Sequence, residues 1–347
     1  MKTHRIASIP GDGIGKEVIP AGIEVLHRLA DGFALHFEHF DWDSKRYLET
    51  GRYIPEGGLE RLKKFDAIFF GAVGAPDVPD HVSLWGLRLP ICQGFDQYAN
   101  VRPSRLLPGI SSPLVNAKEI DWVIVRENTE GEYSGSGGRV HQGLPEEIAT
   151  ETSVFTRKGA ERVHRFAFEL ARRRPRKHLT LVTKSNAQRH GMVLWDEVFY
   201  HVAQDFPDVK TERILVDAMT TRMVLKPGSV DTVVASNLHA DILSDLAAAL
   251  SGSLGIAPTA NLNPERKFPS MFEPIHGSAF DIVGKGVANP IATFWTAAMM
   301  LEHLGEAKAA ARLMKAIETV TAKKIFTPDL GGDARTRDVT REVLAAL

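Results

Sequence analysis

Cysteine is nearly absent. The 347 residues include one, Cys92, which excludes an intrachain disulfide framework and a Cys-based zinc cluster. A reducing, cytoplasmic setting is therefore expected. An excess of charge of one sign is missing as well. The chain has 42 Lys and Arg against 43 Asp and Glu, for a net charge of −1. No global field would draw in nucleic acid or an anionic membrane, and neither partner is expected. No apolar run approaches the ~20 residues of a membrane span. Met1-Lys2-Thr3-His4-Arg5 leads into a short strand-like run with no apolar h-region, so no secretory signal is expected. Internal repeats and low-complexity tracts are lacking too. What remains is an ordinary globular composition, 44% hydrophobic and 24% charged, in a chain long enough for two domains.

Strand-like runs alternate with helical ones. Ile6–Ile9, Ala67–Phe70, Trp122–Val125, Leu179–Thr183 and Thr232–Ala235 read as buried strands, and Phe33 to His39 alternates in a strand pattern. This order predicts an α/β layered fold with much parallel pairing. Ligands in such sheets collect at the carboxyl ends of strands. Arg126-Glu127-Asn128, Lys184-Ser185-Asn186 and Ser236-Asn237 lie at those ends. Residues 134–143 are too glycine-rich for a helix interior and read as a protruding hairpin or mobile arm, followed by a strand-like run from Glu147 to Phe155. From about Ile291 the chain reads as helical to its end, apart from the turn Thr327-Pro328-Asp329-Leu330-Gly331-Gly332. The basic run Arg172–Lys177 reads as a solvated helix C-terminus stopped by Pro175 rather than a nucleic-acid patch.

Several segments carry chemistry. Asp241 and Asp245 stand four apart in Ser236–Leu246, on one face of a helix, with Cβ atoms about 5–6 Å apart. With apolar flanks the helix is expected to be largely buried. Paired carboxylates beside a core fit a divalent cation held by oxygen ligands. The alternative is a charge near a helix start beside an exposed acid; this segment alone leaves both open. Gly11-Asp12-Gly13-Ile14-Gly15 lacks the third glycine of a Rossmann fingerprint, since Lys16 stands there. It is expected to be a tight strand-to-helix turn. Arg126 can grip a carboxylate with two hydrogen bonds, and Tyr133 offers a hydroxyl beside a glycine-rich loop. Lys184 at a strand end is a candidate general base, and Asp217 a third acid. Glu273-Pro274-Ile275-His276-Gly277-Ser278-Ala279-Phe280-Asp281 is a turn of small residues whose N–H groups can meet phosphate oxygens. Its terminal acid can bind ribose hydroxyls and repel a 2′-phosphate.

Together these segments resemble the β-decarboxylating 2-hydroxyacid dehydrogenases, which include isocitrate, 3-isopropylmalate, D-malate and tartrate dehydrogenases. The resemblance runs from Ile9–Gly15 to Thr327–Gly332. Within the family, Leu84–Tyr98 is most similar to the tartrate dehydrogenase/decarboxylase group, with D-malate dehydrogenase next. The resemblance implies a three-layer α/β/α isopropylmalate dehydrogenase-like fold, not a Rossmann fold, with two interleaved domains. Residues 1–100 plus 251–347 would form the NAD-binding domain. Residues 101–250 would form the second, carrying metal and substrate residues, a dimer interface and an arm over about 134–155.

The implied roles follow residue by residue. Asp241 and Asp245 would bind Mn²⁺ or Mg²⁺, with Asp217 supplied by the other subunit of a homodimer. Lys184, also from the partner, would take the substrate hydroxyl proton, and Tyr133 would protonate carbon after decarboxylation. Arg102 and Arg126 would hold the substrate carboxylates. His276, Asp281 and Asn289 would hold the adenosine of NAD, with Glu273, Gly277, Ser278 and Ala279 in the same segment and Asn186 near the nicotinamide. NADP-dependent isocitrate dehydrogenases have a basic residue at the position of Asp281, so NAD is implied. K⁺ is a further cofactor that the resemblance leaves open.

The chain departs from the pattern in places. Cys92 falls where isopropylmalate and isocitrate dehydrogenases have a first arginine, and Arg88, one turn earlier, is the candidate substitute. Trp85 stands where relatives read the substrate's γ-group, and its bulk argues for a four-carbon diacid, tartrate or D-malate. Phe280 replaces a common proline and Ala240 a common glycine. The 3-isopropylmalate reaction is an alternative within the family. A metal-dependent phosphoryl hydrolase and a non-catalytic dimeric α/β binding protein are the alternatives from other classes.

Overall fold

The computed structural model describes residues 2–115, 117 and 120–347. The strands are β1 (Lys2–Gly11), β2 (Phe33–His39), β3 (Ala67–Ala72), β4 (Ala99–Arg105), β5 (Asp121–Glu127), β6 (Gly131–Val140), β7 (Ile148–Val154), β8 (His178–Thr183), β9 (Lys210–Leu215), β10 (Thr232–Ala235), β11 (Pro258–Leu262) and β12 (Ser270–Pro274). Ten of them form one sheet in the order β2-β1-β3-β12-β11-β4-β5-β10-β8-β9. Pairing is parallel towards both edges and antiparallel across β12-β11-β4-β5 in the middle. Strands from the two ends of the chain build one half, and strands from its middle build the other. The halves meet where β11 pairs with β4.

Helices cover both faces, as the continuous apolar strands require. Alternate residues of one strand enter opposite cores. Phe69 packs with Phe294, Leu301 and Leu313 on one side, while Ile68 and Phe70 pack with Phe40, Trp42 and Ile91 on the other. In the second half Val234 joins Phe168, Trp195 and Phe199, and Val233 joins Met219, Met223 and Leu243. The result is the expected three-layer α/β/α arrangement.

Local sequence sets the element ends. The helix Arg157–Arg173 starts where the Thr156 side chain accepts a hydrogen bond from the Gly159 N–H at 2.9 Å, a common N-cap. Arg172 and Arg173 close it at the negative end of the dipole. The basic run beyond is structural. Arg174 pairs with buried Asp231 at 2.7 Å, and Arg172 with Asp208 at 2.7 Å. The Gly11–Gly15 turn is a strand-to-helix turn, as its spacing predicts. Gly13 has φ +57°, and a Cβ there would lie 1.9 Å from the Ser278 carbonyl oxygen. Asp12 is buried and accepts from the Ser44 N–H, the Ser44 hydroxyl and the Gly74 N–H.

Two features stand outside the layers. β6 and β7 form a separate antiparallel hairpin, with every residue of β7 exposed. Leu84–Arg88 is a π-turn, a widened helical turn that often marks functional sites. The aspartate helix, Asn237–Leu250, is largely buried as expected, but Ile242 among its apolar flanks is 54% exposed.

Candidate active site

Strand ends gather the charged groups. Arg126 at the end of β5 and Arg102 on β4 are both buried. Both reach Asp241 on the aspartate helix. Arg102 Nη1 donates to Asp241 Oδ1 at 3.0 Å and to the Ser244 hydroxyl at 2.6 Å. Arg126 Nη1 forms an ion pair with Asp241 Oδ1, and its Nε donates to Asn237 Oδ1 at 2.8 Å. The Tyr133 hydroxyl donates to Asp241 Oδ2 at 3.1 Å. The Tyr133 ring lies 5.1 Å from the Arg126 guanidinium carbon, within cation–π range.

These contacts fix the protonation states. Burial pushes the Asp241 carboxyl up, but Arg126, Arg102 and Arg88 outweigh it and hold its pKa at about 2. Asp245, one turn on, goes the other way. Burial raises it and the Asp241 charge adds to the rise, against the opposing pull of Arg102. Burial and the Asp241 charge also raise the Tyr133 phenol, so its proton is retained at neutral pH.

The π-turn brings in Arg88. Its Nε donates to Glu273 Oε1 at 2.8 Å and its Nη2 to Asn261 Oδ1 at 3.2 Å. Its charge is also felt at Asp241. Cys92 is fully buried behind it, and burial pushes the thiol up to about 11, which leaves it unreactive. Trp85, at the other end of the π-turn, is 40% exposed. It lies against Gly135 at the base of the hairpin, where a Cβ would sit 2.7 Å from the indole. The Gln93 side chain donates to the Tyr133 carbonyl at 3.1 Å. Glu127 holds the turn into β6 by accepting from the Thr129 and Glu130 N–H groups at 2.9 and 2.8 Å.

Lys184 and Asp217 form a separate corner. Lys184 Nζ donates to Asp217 Oδ1 at 2.6 Å. The Asp217 side chain is 66% exposed. The lysine's hydrogen bond holds the Asp217 carboxyl below its ordinary value. Neither residue contacts Asp241 or Asp245. Among the described residues, no three His, Cys, Asp or Glu side chains of one chain cluster closely enough to hold a metal. Asn186 is exposed in the turn after Lys184.

A third region is a cleft of ≈ 830 Å³ lined by Ile14, Leu254, His276, Ala279, Asp281 and Asn289, among others. His276 Nδ1 lies 3.0 Å from the Gly277 carbonyl oxygen, so Nδ1 carries the donated proton. Nε2 is buried and has no partner among the described residues. Ala279 takes φ +44°, a left-handed conformation uncommon for a residue with a Cβ. The Ser278 carbonyl accepts from the Ile14 N–H. Glu273 is not on this cleft's lining; its carboxylate faces Arg88 and Asn261.

Some contributors have no distinguishing signal in the sequence. Asn261, Asn100 and Ser244 are ordinary polar residues until the sheet and helix bring them to the arginines. Asp329 lines the cleft with Asn289, which donates to it at 3.0 Å. An acid in the Thr327–Gly332 turn was the available clue.

Comparison with known proteins decides the family. The isocitrate/isopropylmalate dehydrogenase profile matches residues 5–343. The chain belongs to the isocitrate/isopropylmalate dehydrogenase family. Among members of this family, a probable tartrate dehydrogenase/decarboxylase of Agrobacterium vitis is 67% identical, covering 100% of this chain and 97% of the relative. The decarboxylating D-malate dehydrogenase of Escherichia coli (strain K12) is 53% identical over 98% of this chain and 97% of that protein. The isocitrate dehydrogenase of Methylococcus capsulatus superposes with a TM-score of 0.89 at 35% identity, covering 99% of each chain.

Proposed function

We propose that the protein oxidises a four-carbon 2-hydroxy dicarboxylic acid with NAD and a divalent cation, and decarboxylates it. Tartrate is the favoured substrate, with D-malate also accepted. The observation that carries this reading is the pairing of Asp241 with Arg102 and Arg126, beside Arg88 held on Glu273. Three arginines face three carboxylates, Asp241, Asp245 and Glu273, so the pocket is close to neutral. A bound divalent cation would leave it two positive charges, which match the two negative charges of a diacid.

Asp241 and Asp245 offer hard oxygen donors that suit Mn²⁺ or Mg²⁺. Asp217, exposed and apart, suits a ligand role across a subunit boundary. The cation would act as a Lewis acid, stabilising charge that develops on the substrate's C2 oxygen. Arg102 and Arg126 would hold the substrate carboxylates, with Arg88 as a further grip in place of the family's first arginine. Lys184 would accept the substrate's hydroxyl proton, and NAD, when bound, would supply the hydride acceptor. After CO₂ departs, the Tyr133 hydroxyl returns a proton to carbon; its raised pKa keeps that proton available. Trp85 at the mouth limits the group that C3 can carry. In the cleft, the unpartnered His276 Nε2 is an acceptor for an adenine amino group. Asp281 favours free ribose hydroxyls over a 2′-phosphate. Asn289, Gly277, Ser278 and Ala279 would complete the cofactor contacts, with Asn186 near the nicotinamide.

The active unit in this reading is a homodimer. Its interface would use the exposed Ile242, Val224 and Leu225, and the hairpin over about 134–155 would reach the partner. An isolated two-stranded hairpin is marginal in water, and a partner sheet would stabilise it. Residues 1–100 plus 251–347 would move as the NAD-binding domain against 101–250. Cys92 as the one thiol fits the cytoplasm.

The test is NADH absorbance on adding Mn²⁺, NAD and either meso-tartrate or D-malate. Turnover is expected with NAD and not with NADP. No signal with any 2-hydroxy diacid would overturn the reading.

A further inference from the structure

Asn261 is wholly buried in β11, at the line where the two halves of the sheet meet. It pairs in register with Asn100 on β4, and Asn100 pairs with Arg126 on β5. Cross-strand neighbours of this kind share a face. The side chain of Asn261 uses all its polar capacity. Oδ1 accepts from Asn100 Nδ2 at 2.6 Å, Asn128 Nδ2 at 3.0 Å and Arg88 Nη2 at 3.2 Å. Nδ2 donates to Glu273 Oε1 at 2.8 Å and to the Met271 carbonyl at 3.4 Å. Asn100 Oδ1 in turn accepts from Arg102 Nε at 2.9 Å.

The chain of bonds has one possible polarity. An amide flipped at Asn261 would aim N–H groups at the Arg88 guanidinium and a carbonyl at the Glu273 carboxylate. The bracket therefore joins Arg88, from the first half, to Arg102, from the second, through two amides. Buried polar groups are costly unless satisfied, and the Asn261 amide is satisfied at both ends. A saturated amide here holds two guanidinium groups at a fixed separation.

We propose that Asn261 is the positioning residue that sets the spacing between Arg88 and Arg102, and with it the length of diacid the pocket accepts. This rests on the reading of those arginines as carboxylate grips. Glu273 acts from the same bracket: its Oε1 lies 2.8 Å from both Nε and Nη2 of Arg88, and Asn261 Oδ1 takes Nη2 from the other side at 3.2 Å. Neither Asn261 nor Glu273 needs to touch the substrate for this.

The experiment uses the full-length protein with Mn²⁺ and NAD, and compares Asn261→Ser, Asn261→Asp and Asn100→Ser. Losing a buried hydrogen bond at this site should cost roughly tenfold in binding. For Asn261→Ser, KM for D-malate should rise about tenfold while kcat changes far less. The preference for D-malate over 2-hydroxyglutarate, one carbon longer, should fall by a similar factor. Calorimetric affinity for succinate, a diacid with no hydroxyl to oxidise, should weaken in parallel, and NAD affinity should stay unchanged. Asn100→Ser breaks the bracket from its other end and should reproduce the pattern. Asn261→Asp has the same shape but sets a carboxylate against Glu273. Its succinate affinity should fall at least as far as that of Asn261→Ser, because like charges would face each other where the amide now donates at 2.8 Å. If Asn261→Ser does not fold, Asn261→Asp and Asn100→Ser carry the test. Folded variants with wild-type KM, length preference and succinate affinity would overturn the proposal. Absence of turnover by the wild-type protein on any 2-hydroxy diacid would instead overturn the functional reading.

Discussion

The Asp241 pocket and the Lys184 corner differ in how complete they are. Asp241 receives two arginines and a tyrosine, all from its own chain, and its partners are in turn held by Asn100, Ser244 and Asn237. Lys184 and Asp217 have chiefly each other, with Asp217 largely open to solvent. One region is an electrostatic cage closed within the chain; the other is an ion pair open to solvent. The difference teaches what a single chain completes by itself. The chain saturates Asp241 from its own residues, whereas Lys184 and Asp217, proposed above as base and third acid, are paired with each other at the surface.

Breaking the finished side should do most damage. Asp241→Ala leaves buried arginines without their counter-charge, which typically costs about 3–5 kcal/mol. Urea titration should show that loss, and kcat/KM should fall by about a thousandfold or more. A variant of wild-type stability would mean the cage is not one electrostatic unit.

The unfinished side is tested by mixing. Lys184→Ala and Asp241→Asn proteins, each inactive, are co-refolded in equal amounts. If each site takes Lys184 from one subunit and Asp241 from the other, random pairing restores about a quarter of wild-type sites. If both residues serve one chain, hybrids stay inactive. Sedimentation of Leu225→Glu gives the companion result, with dissociation and loss of activity expected together.

Tyr133→Phe probes the link between the two regions. Removing a carbon acid should slow product formation by about a hundredfold, with hydride transfer in single-turnover NADH bursts slowed less. Equal losses in both steps would return Tyr133 to a purely structural role beside Asp241.

Acid gives the smallest effect and separates cage from core. His164 is fully buried against Trp195 and Phe199, and neither ring nitrogen has a partner among the described residues. Burial alone pulls its pKa to about 3, below the 6.5 of an unfolded histidine. The unfolded chain therefore binds more protons between those values. The contribution of neutral His164 is complete above pH 6.5 and declines by about 1.4 kcal/mol per unit as pH falls towards 3. His164→Leu should flatten that slope in urea titrations from pH 7 to pH 5. An unchanged slope would show that other groups dominate acid lability.

Much of this was legible in the sequence, for physical reasons. Strands buried on both faces read as unbroken apolar runs, so the layered sheet and the polar strand ends could be placed. Asp241 and Asp245 declared themselves by helical spacing, and the glycine-rich arm by composition. The antiparallel centre was not legible. β4, β11 and β12 carry Asn100, Asn261 and Glu273, which break the apolar pattern that marks a strand. The π-turn was hidden as well, since nothing in Leu84–Arg88 distinguishes a five-residue turn from an ordinary one. The exposure of Ile242 was missed because an apolar helix face looks the same whether its own chain or another covers it.

The seating of Trp85 on Gly135 has an optical consequence. The chain has five tryptophans. Trp42, Trp122, Trp195 and Trp295 are all under 10% exposed, while Trp85 is 40% exposed. A water-soluble quencher such as acrylamide would reach that one indole and largely spare the others. The protein thus carries its own fluorophore at the point where the arm meets solvent. Its emission would report, without any label, when the arm lifts away.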